Sequence, residues 1–217
     1  MPVRKITKNY RNVTGIAAHR KADGQAMFES TLERDFITLL EFSPSVQKFE
    51  VQPLRLDWQD DQAKDRTYTP DVLVSYELAG KTHQILYEVK YRSELREKWP
   101  ELHPKFRAAV KFARIQGWKF KIITETEVRT PLLQNAKFLL PFLKQGANEE
   151  EHMDLLDLRL KELKESTPTK LIQSIFHDEW NQASLLPSLW YMIGSFQIGV
   201  DMNTKLTMDS PIWRLQQ

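Results

Sequence analysis

The stretch RTYTPDVLVSYELAGKTHQILYEVKYRSEL, residues 66–95, constrains the fold more than any other part of this chain. Two runs rich in β-branched and aromatic residues, VLVSYEL and HQILYEVKY, flank an LAGKT segment whose glycine marks a hairpin turn. The pattern predicts adjacent antiparallel strands at 71–76 and 84–91. Side chains alternate along a strand, so Ile85, Tyr87, Val89 and Tyr91 point one way while Leu86, Glu88 and Lys90 point the other. Closing the hairpin at Gly80 brings Asp71 and Glu88 to the same end of the sheet, with Lys90 close by. Three ionised groups in such a place are costly unless something compensates them.

The flanking sequence supplies the rest of a layered unit. FESTLERDFITLLEFSPSV reads as a helix: Ser30 and Glu33 have capping-box spacing, and Pro44 marks the end. At roughly 100° per residue, Leu32, Phe36, Ile37, Leu39 and Leu40 share one face, and Arg34, Asp35, Thr38 and Glu41 share the other. Glu33 falls on the apolar side, where it either closes the cap or reaches toward the sheet. Leu54, Leu56 and Trp58 alternate in FEVQPLRLDW, and QDDQAKDR makes a loop before the first strand of the hairpin. ELHPKFRAAVKFARIQG predicts a helix with Phe106, Ala109, Val110 and Ala113 inward, a stop at Gly117, and a strand through Ile122 and Ile123. The expected order is a helix, a β-meander, a helix and a further strand, closed by the short helix PLLQNAKFLLPFL.

A polar run, KQGANEEEH at 144–152, reads as a linker and divides the chain into domains 1–147 and 148–217. Beyond it, MDLLDLRLKELKE, TPTKLIQSIFHDEW and SLLPSLWYMIGSF read as helices, the second with Thr167 as cap and Pro168 at its first position. IGVDMNTKLTMDSPIWRLQQ alternates as one short hairpin. Three helices and a β-wing make a small winged-helix-like domain. Trp180, Trp190 and Trp213 sit in apolar contexts that suit core or interface packing.

Composition narrows the function classes. The absence of cysteine among 217 residues excludes disulfides and zinc-thiolate sites and suits a cytoplasmic setting. No stretch has the apolar length of a signal peptide core or a bilayer span, so a soluble protein without a membrane partner is expected. A net charge of +2 conceals an asymmetry. Residues 1–147 hold 25 basic and 18 acidic side chains, residues 148–217 hold 6 and 11. The basic part suits a polyanion, because neutralising phosphates releases counterions. Arg4, Lys5, Lys8, Arg11, Arg20 and Lys21 make the first 21 residues wholly basic, either as a DNA-contacting segment or as a solubilising tail. Lys105, Arg107, Lys111 and Arg114 likewise make one helix basic, as a solvated face or as a contact for nucleic-acid backbone. His103 at its start either approaches phosphate or is an exposed helix-start residue.

The Asp71, Glu88 and Lys90 trio admits two readings. One is a structural ion pair on a half-exposed sheet. The other is a divalent-cation site: Asp71, Glu88 and the Val89 carbonyl offer hard oxygen ligands of the kind magnesium takes, with Glu33 completing the shell or holding a second ion. Lys90 would then position an attacking water, stabilise phosphoryl charge, or take a proton.

These residues also carry a resemblance. Pro70-Asp71, sixteen intervening residues and Glu88-Val89-Lys90 resemble the PD-(D/E)xK signature of restriction-endonuclease-like nucleases. RKITKNYRNVTG, ESTLERDF, YTPDVLV, YEVKY and LTMDSPIW are similar to the TnsA family, the endonuclease subunit of heteromeric bacterial transposases. The resemblance implies an α/β fold, a restriction-endonuclease-like mixed sheet flanked by helices, followed by the small winged-helix-like domain. It implies an active site of Glu33, Asp71, Glu88 and Lys90 using magnesium or manganese. The reaction it implies is hydrolysis at the 5′ end of each transposon strand, leaving a 3′-hydroxyl and a 5′-phosphate. A TnsB recombinase would cut and join the other strand, and a TnsC AAA+ ATPase would regulate both. Some members carry Gln where Glu88 stands, so an acid there is within the family's range. The family's C-terminal portion contacts TnsC and DNA; the acidic balance of 148–217 favours a protein partner for most of that surface. Two other readings stay open: a stand-alone restriction- or repair-type nuclease, and a non-catalytic DNA-binding adaptor using the nuclease fold as scaffold.

Overall fold

The computed structural model describes residues 15–17, 20–60, 62–147 and 149–215, so Arg4, Lys5, Lys8 and Arg11 lie outside the described residues. The chain divides into two compact units, Met1–Arg129 and Thr130–Gln217.

In the first unit, β1 (Gly15–Ala17) pairs with β2 (Ala26–Phe28), and α1 (Thr31–Phe42) follows. Ser30 caps α1 by accepting the Glu33 N–H at 3.1 Å. The sheet that carries the site runs β3 (Val46–Val51), β6 (Val72–Leu78), β7 (Lys81–Val89), β8 (Lys119–Ile123) in spatial order. Its first three strands are antiparallel, and β8 lies parallel to β7. A parallel neighbour requires a crossover, which α2 (Arg92–Ile115) provides. The predicted turn between β6 and β7 is present: Ala79 and Gly80 both have positive φ, and Leu78 pairs with Lys81.

α1 covers one face of this sheet, where Leu32, Phe36, Ile37 and Leu40 share a core with Phe49, Val72, Val74, Tyr87 and Val89. In a second core Leu102, Phe106 and Ala109 of α2 pack with Leu56, Tyr68, Phe120 and Ile122. The strands β4 (Leu56–Gln59) and β5 (Asp65–Tyr68) do not extend a meander, as the sequence suggests, but form a separate two-stranded hairpin. Gln52, at φ 50, and Pro53 turn the chain out of the sheet after β3. α2 also departs from expectation, beginning at Arg92 and kinking at Lys98 ahead of Pro100. Val110, expected inward, is exposed, and Leu102 is buried in its place. Asp35 and Glu41, expected on the solvent side of α1, are buried with partners: Asp35 meets Arg129 at 3.2 Å, and Glu41 accepts the backbone N–H groups of Arg20 and Lys21. The short α3 (Glu125–Val128) ends this unit.

The second unit begins earlier than the polar run suggests, because α4 (Pro131–Gln145) packs within it. Leu139 and Leu143 of α4 lie against Gly194, the last residue of α7 (Glu179–Gly194), and Asn135 bonds to the backbone of Met202, Thr204 and Leu206. α5 (Glu150–Leu163), β9 (Glu165–Ser166) and α6 (Pro168–Ile175), capped by Thr167, precede α7. β10 (Ile198–Val200) and β11 (Ile212–Arg214) close the chain in a sheet of order β10, β11, β9, antiparallel throughout. Trp190 is buried, Trp213 packs across from Gly199, and Trp180 is exposed. Among the described residues no helix is long and apolar enough to cross a membrane.

Candidate active site

β6 and β7 place the site, since Val72 pairs with Tyr87 and leaves Asp71 at the head of one strand beside Glu88 and Val89 on the other. Asp71 is pinned from both ends: its backbone N–H donates to the Tyr87 carbonyl at 3.1 Å, and its Oδ2 accepts the Val89 N–H at 2.7 Å. Its carbonyl accepts the Gln52 N–H at 2.8 Å. Lys90 follows β7 with its ammonium among three oxygens: Val89 O at 3.2 Å, Glu88 Oε1 at 3.3 Å and Asp71 Oδ2 at 3.6 Å. The three groups singled out in the strand pattern therefore converge.

Their environment is a cleft of about 550 Å³ lined by Gln52, Tyr68, Asp71, Glu88, Lys90 and Lys105, among others. Glu88 is 1% exposed, Asp71 and Lys90 under a fifth, so their charges interact through little solvent. Burial, reinforced by the negative charge of Glu88, pushes the Asp71 carboxyl well above the usual carboxylate range; Lys90 and the Val89 N–H only partly offset this. For Lys90 burial is again the largest influence and acts downward, but Asp71, Glu88 and Glu33 together hold the ammonium above the ordinary lysine range.

Glu33 is nearby but otherwise engaged. Its Oε1 accepts the Ser30 hydroxyl at 3.0 Å and its Oε2 accepts the Glu29 N–H at 2.8 Å, so both oxygens close the start of α1. Burial raises its pKa, its cap bonds and Lys90 oppose that, and Lys90 and Asp71 both feel its charge. Among the described residues no three His, Cys, Asp or Glu side chains form a group able to hold a metal ion. The oxygen set that does converge is two carboxylates and one carbonyl.

Two residues without a signal in the strand pattern complete the site. The Tyr68 hydroxyl, at the end of the β5 hairpin strand, donates to Glu88 Oε2. Lys105 of α2, singled out in the sequence only as part of a basic helix, reaches Glu88 Oε1 at 3.2 Å. Arg107 and Lys111 line a different hollow, together with Asp57, Gln59 and Ile115. Lys21 is half-buried with its ammonium donating to the Ser43 carbonyl, and burial, opposed by Glu41, lowers its pKa. Arg20 is exposed. His103 stacks beside Trp99, with ring centroids 5.2 Å apart, and lines an apolar groove rather than the acidic cleft.

Residues 43–125 match the family model described as TnsA-like endonuclease N terminal, a segment that contains Asp71, Glu88, Lys90 and Lys105 but not Glu33. No curated protein matches the chain. The likeness to the TnsA-like endonuclease N-terminal domain thus holds for residues 43–125, the part of the chain that carries the cleft.

Proposed function

We propose that this chain is a divalent-cation-dependent DNA endonuclease that hydrolyses the 5′, non-transferred strand at transposon ends, acting with a TnsB-type recombinase and a TnsC-type AAA+ ATPase. The observation that carries the reading is the convergence of Asp71 Oδ2, Glu88 Oε1 and Val89 O on one positive group, the Lys90 ammonium. These are hard oxygens on a buried sheet end already arranged to compensate positive charge, which is the donor set that magnesium or manganese takes while keeping several waters. Asp71, Glu88 and the Val89 carbonyl would hold the ion; Glu33, spent on its helix cap, would act from beyond them through its charge. When bound, such an ion lowers the pKa of a water and neutralises phosphoryl charge.

The chain's own groups do the rest. Lys90 stays protonated at neutral pH, so it serves as a donor to a non-bridging oxygen or to the attacking water rather than as a base. Attack of water on phosphorus breaks the bond to the 3′ oxygen, which takes a proton and leaves as a 3′-hydroxyl, with the phosphate kept on the 5′ side. Tyr68 fixes the Oε2 oxygen of Glu88 while this happens. Basic residues of the first unit, Arg20, Lys105, Arg107 and Lys111 with Arg4, Lys5, Lys8, Arg11 and Lys21, would contact the DNA backbone. In the second unit the order α5, β9, α6, α7, β10, β11 supports the winged-helix-like reading, and the acidic balance supports a protein partner there.

The test is a strand-resolved cleavage assay on transposon-end DNA with both partner proteins. Wild type with Mg2+ should cut the 5′-end strand only; EDTA or Asp71→Ala should abolish the cut. Cleavage without the recombinase would favour the stand-alone nuclease, and DNA binding by wild type without any cut would favour the adaptor.

A further inference from the structure

Lys105 is placed for more than a phosphate contact on a helix surface. Its Nζ stands 3.2 Å from Glu88 Oε1, the oxygen that Lys90 meets at 3.3 Å. It also lies 4.7 Å from the ring centroid of Tyr68 and 5.2 Å from that of Phe106, so two aromatic faces help hold the ammonium. The Tyr68 hydroxyl meanwhile takes the other oxygen of the same carboxylate. One buried oxygen thus faces two ammonium groups, of which Lys90 is shared with Asp71 and Lys105 is not. The Lys105 ammonium therefore stands on the carboxylate oxygen that a dication would take, and like charges repel, so a cation can fill that place only as Lys105 gives it up. Arg107 and Lys111, on the same helix, face a separate hollow and have no such contact.

We infer that Lys105 is a placeholder for the divalent cation: it holds Glu88 Oε1 while the cation is absent, yields that oxygen when the cation binds, and then donates to an oxygen of the scissile phosphate. The inference rests on the cation-dependent reading above and adds a residue to it. It makes an unusual demand on a neutral substitution. Removing the ammonium takes away a competitor for Glu88, so cation affinity rises; it also removes a donor to the phosphate, so cleavage slows. A lysine that only supported the fold would lower both, and one that only touched DNA would leave cation affinity unchanged.

Mn2+ binding to the full chain, measured by titration calorimetry and by the loss of free-ion paramagnetic resonance signal, separates these roles. Lys105→Met and Lys105→Gln should each bind Mn2+ about ten-fold more tightly than wild type, as expected for removing one charge at this distance. Their single-turnover cleavage at saturating Mn2+ should fall roughly 100-fold, the scale of a lost charge-stabilising donor. Lys105→Arg should return the affinity to within about two-fold of wild type, since it restores the competing charge. Unchanged or weaker Mn2+ binding in both neutral variants overturns the inference and leaves the cation-dependent reading standing. Wild type that binds no Mn2+, or Asp71→Asn that binds it as wild type does, overturns both.

Discussion

Asp71 and Lys90 face each other across 3.6 Å, and folding makes each hold its proton more tightly, so each loses stability with rising pH in its own window. Burial and Glu88 raise the Asp71 carboxyl above its unfolded value, so the folded state holds its proton more tightly. Stability from this group is present at acid pH and declines as pH climbs from about 4 through the raised folded value. Asp71→Asn removes that cost while removing catalysis. The melting temperature at pH 7 should rise by about 3 °C, the effect of roughly 1 kcal/mol in a chain this size, and its decline as pH climbs above about 4 should flatten, as differential scanning calorimetry would register. Lys90 follows the same sign in a higher window: its folded value is raised, so its contribution is complete below the ordinary lysine range of about 10.4 and is lost as pH rises beyond it. Lys90→Met leaves two buried acids without their shared cation and should destabilise the fold by about 3 kcal/mol at neutral pH in urea titrations. Asp71, Glu88 and Lys90 are legible in the sequence because strand alternation and one tight turn suffice to place them together. Tyr68 and Lys105 are not, since a separate hairpin and a crossover helix bring them in, and no local period encodes that approach. Asp35 and Glu41 mislead for the same reason: their burial depends on partners far along the chain.

Helices and strands follow their local signals where capping and turn chemistry are explicit. Ser30, Thr167 and Gly80 each do what their residue types suggest, whereas Ala79 is drawn to a positive φ by the tight turn. Boundaries set by packing are less legible. Pro100 and Pro104 hide the first turns of α2, because a helix that resumes after a kink leaves no continuous period to read. The hairpin of β4 and β5 carries the same alternation as a sheet strand, and only the turn at Gln52 removes it from the sheet. The polar run after α4 reads as a linker, yet the contacts of α4 place the division before that helix. Gly199 on β10, which pairs with Trp213 on β11, supports a prediction at this scale. An added methyl there would run into the indole ring, with no open space to receive it. Gly199→Ala should cost about 1–3 kcal/mol by overpacking and expose the second unit to limited proteolysis, while cleavage chemistry in the first unit persists.

At the scale of the whole chain, charge and chemistry are divided between sequence regions. The residues proposed for the reaction, Glu33, Asp71, Glu88, Lys90 and Lys105, lie in the first unit, and the acidic excess lies in residues 148–217. Charge reversal in that region, Glu162→Lys with Glu165→Lys, should weaken TnsC-type partner binding at least about ten-fold in a pull-down or interferometry assay, as like-charge contacts do at an interface. Cleavage rate per bound complex should be unchanged. Unaltered partner binding would assign the acidic surface to solvation alone. The central claim concerns neither surface: it is that two acids and a carbonyl at one sheet end hold a dication. Anomalous diffraction from crystals soaked in Mn2+ tests it most directly. A peak bonded to Asp71 Oδ2, Glu88 Oε1 and Val89 O is the expected result, and a map with no peak beside those oxygens, or with the ion held elsewhere, would contradict it.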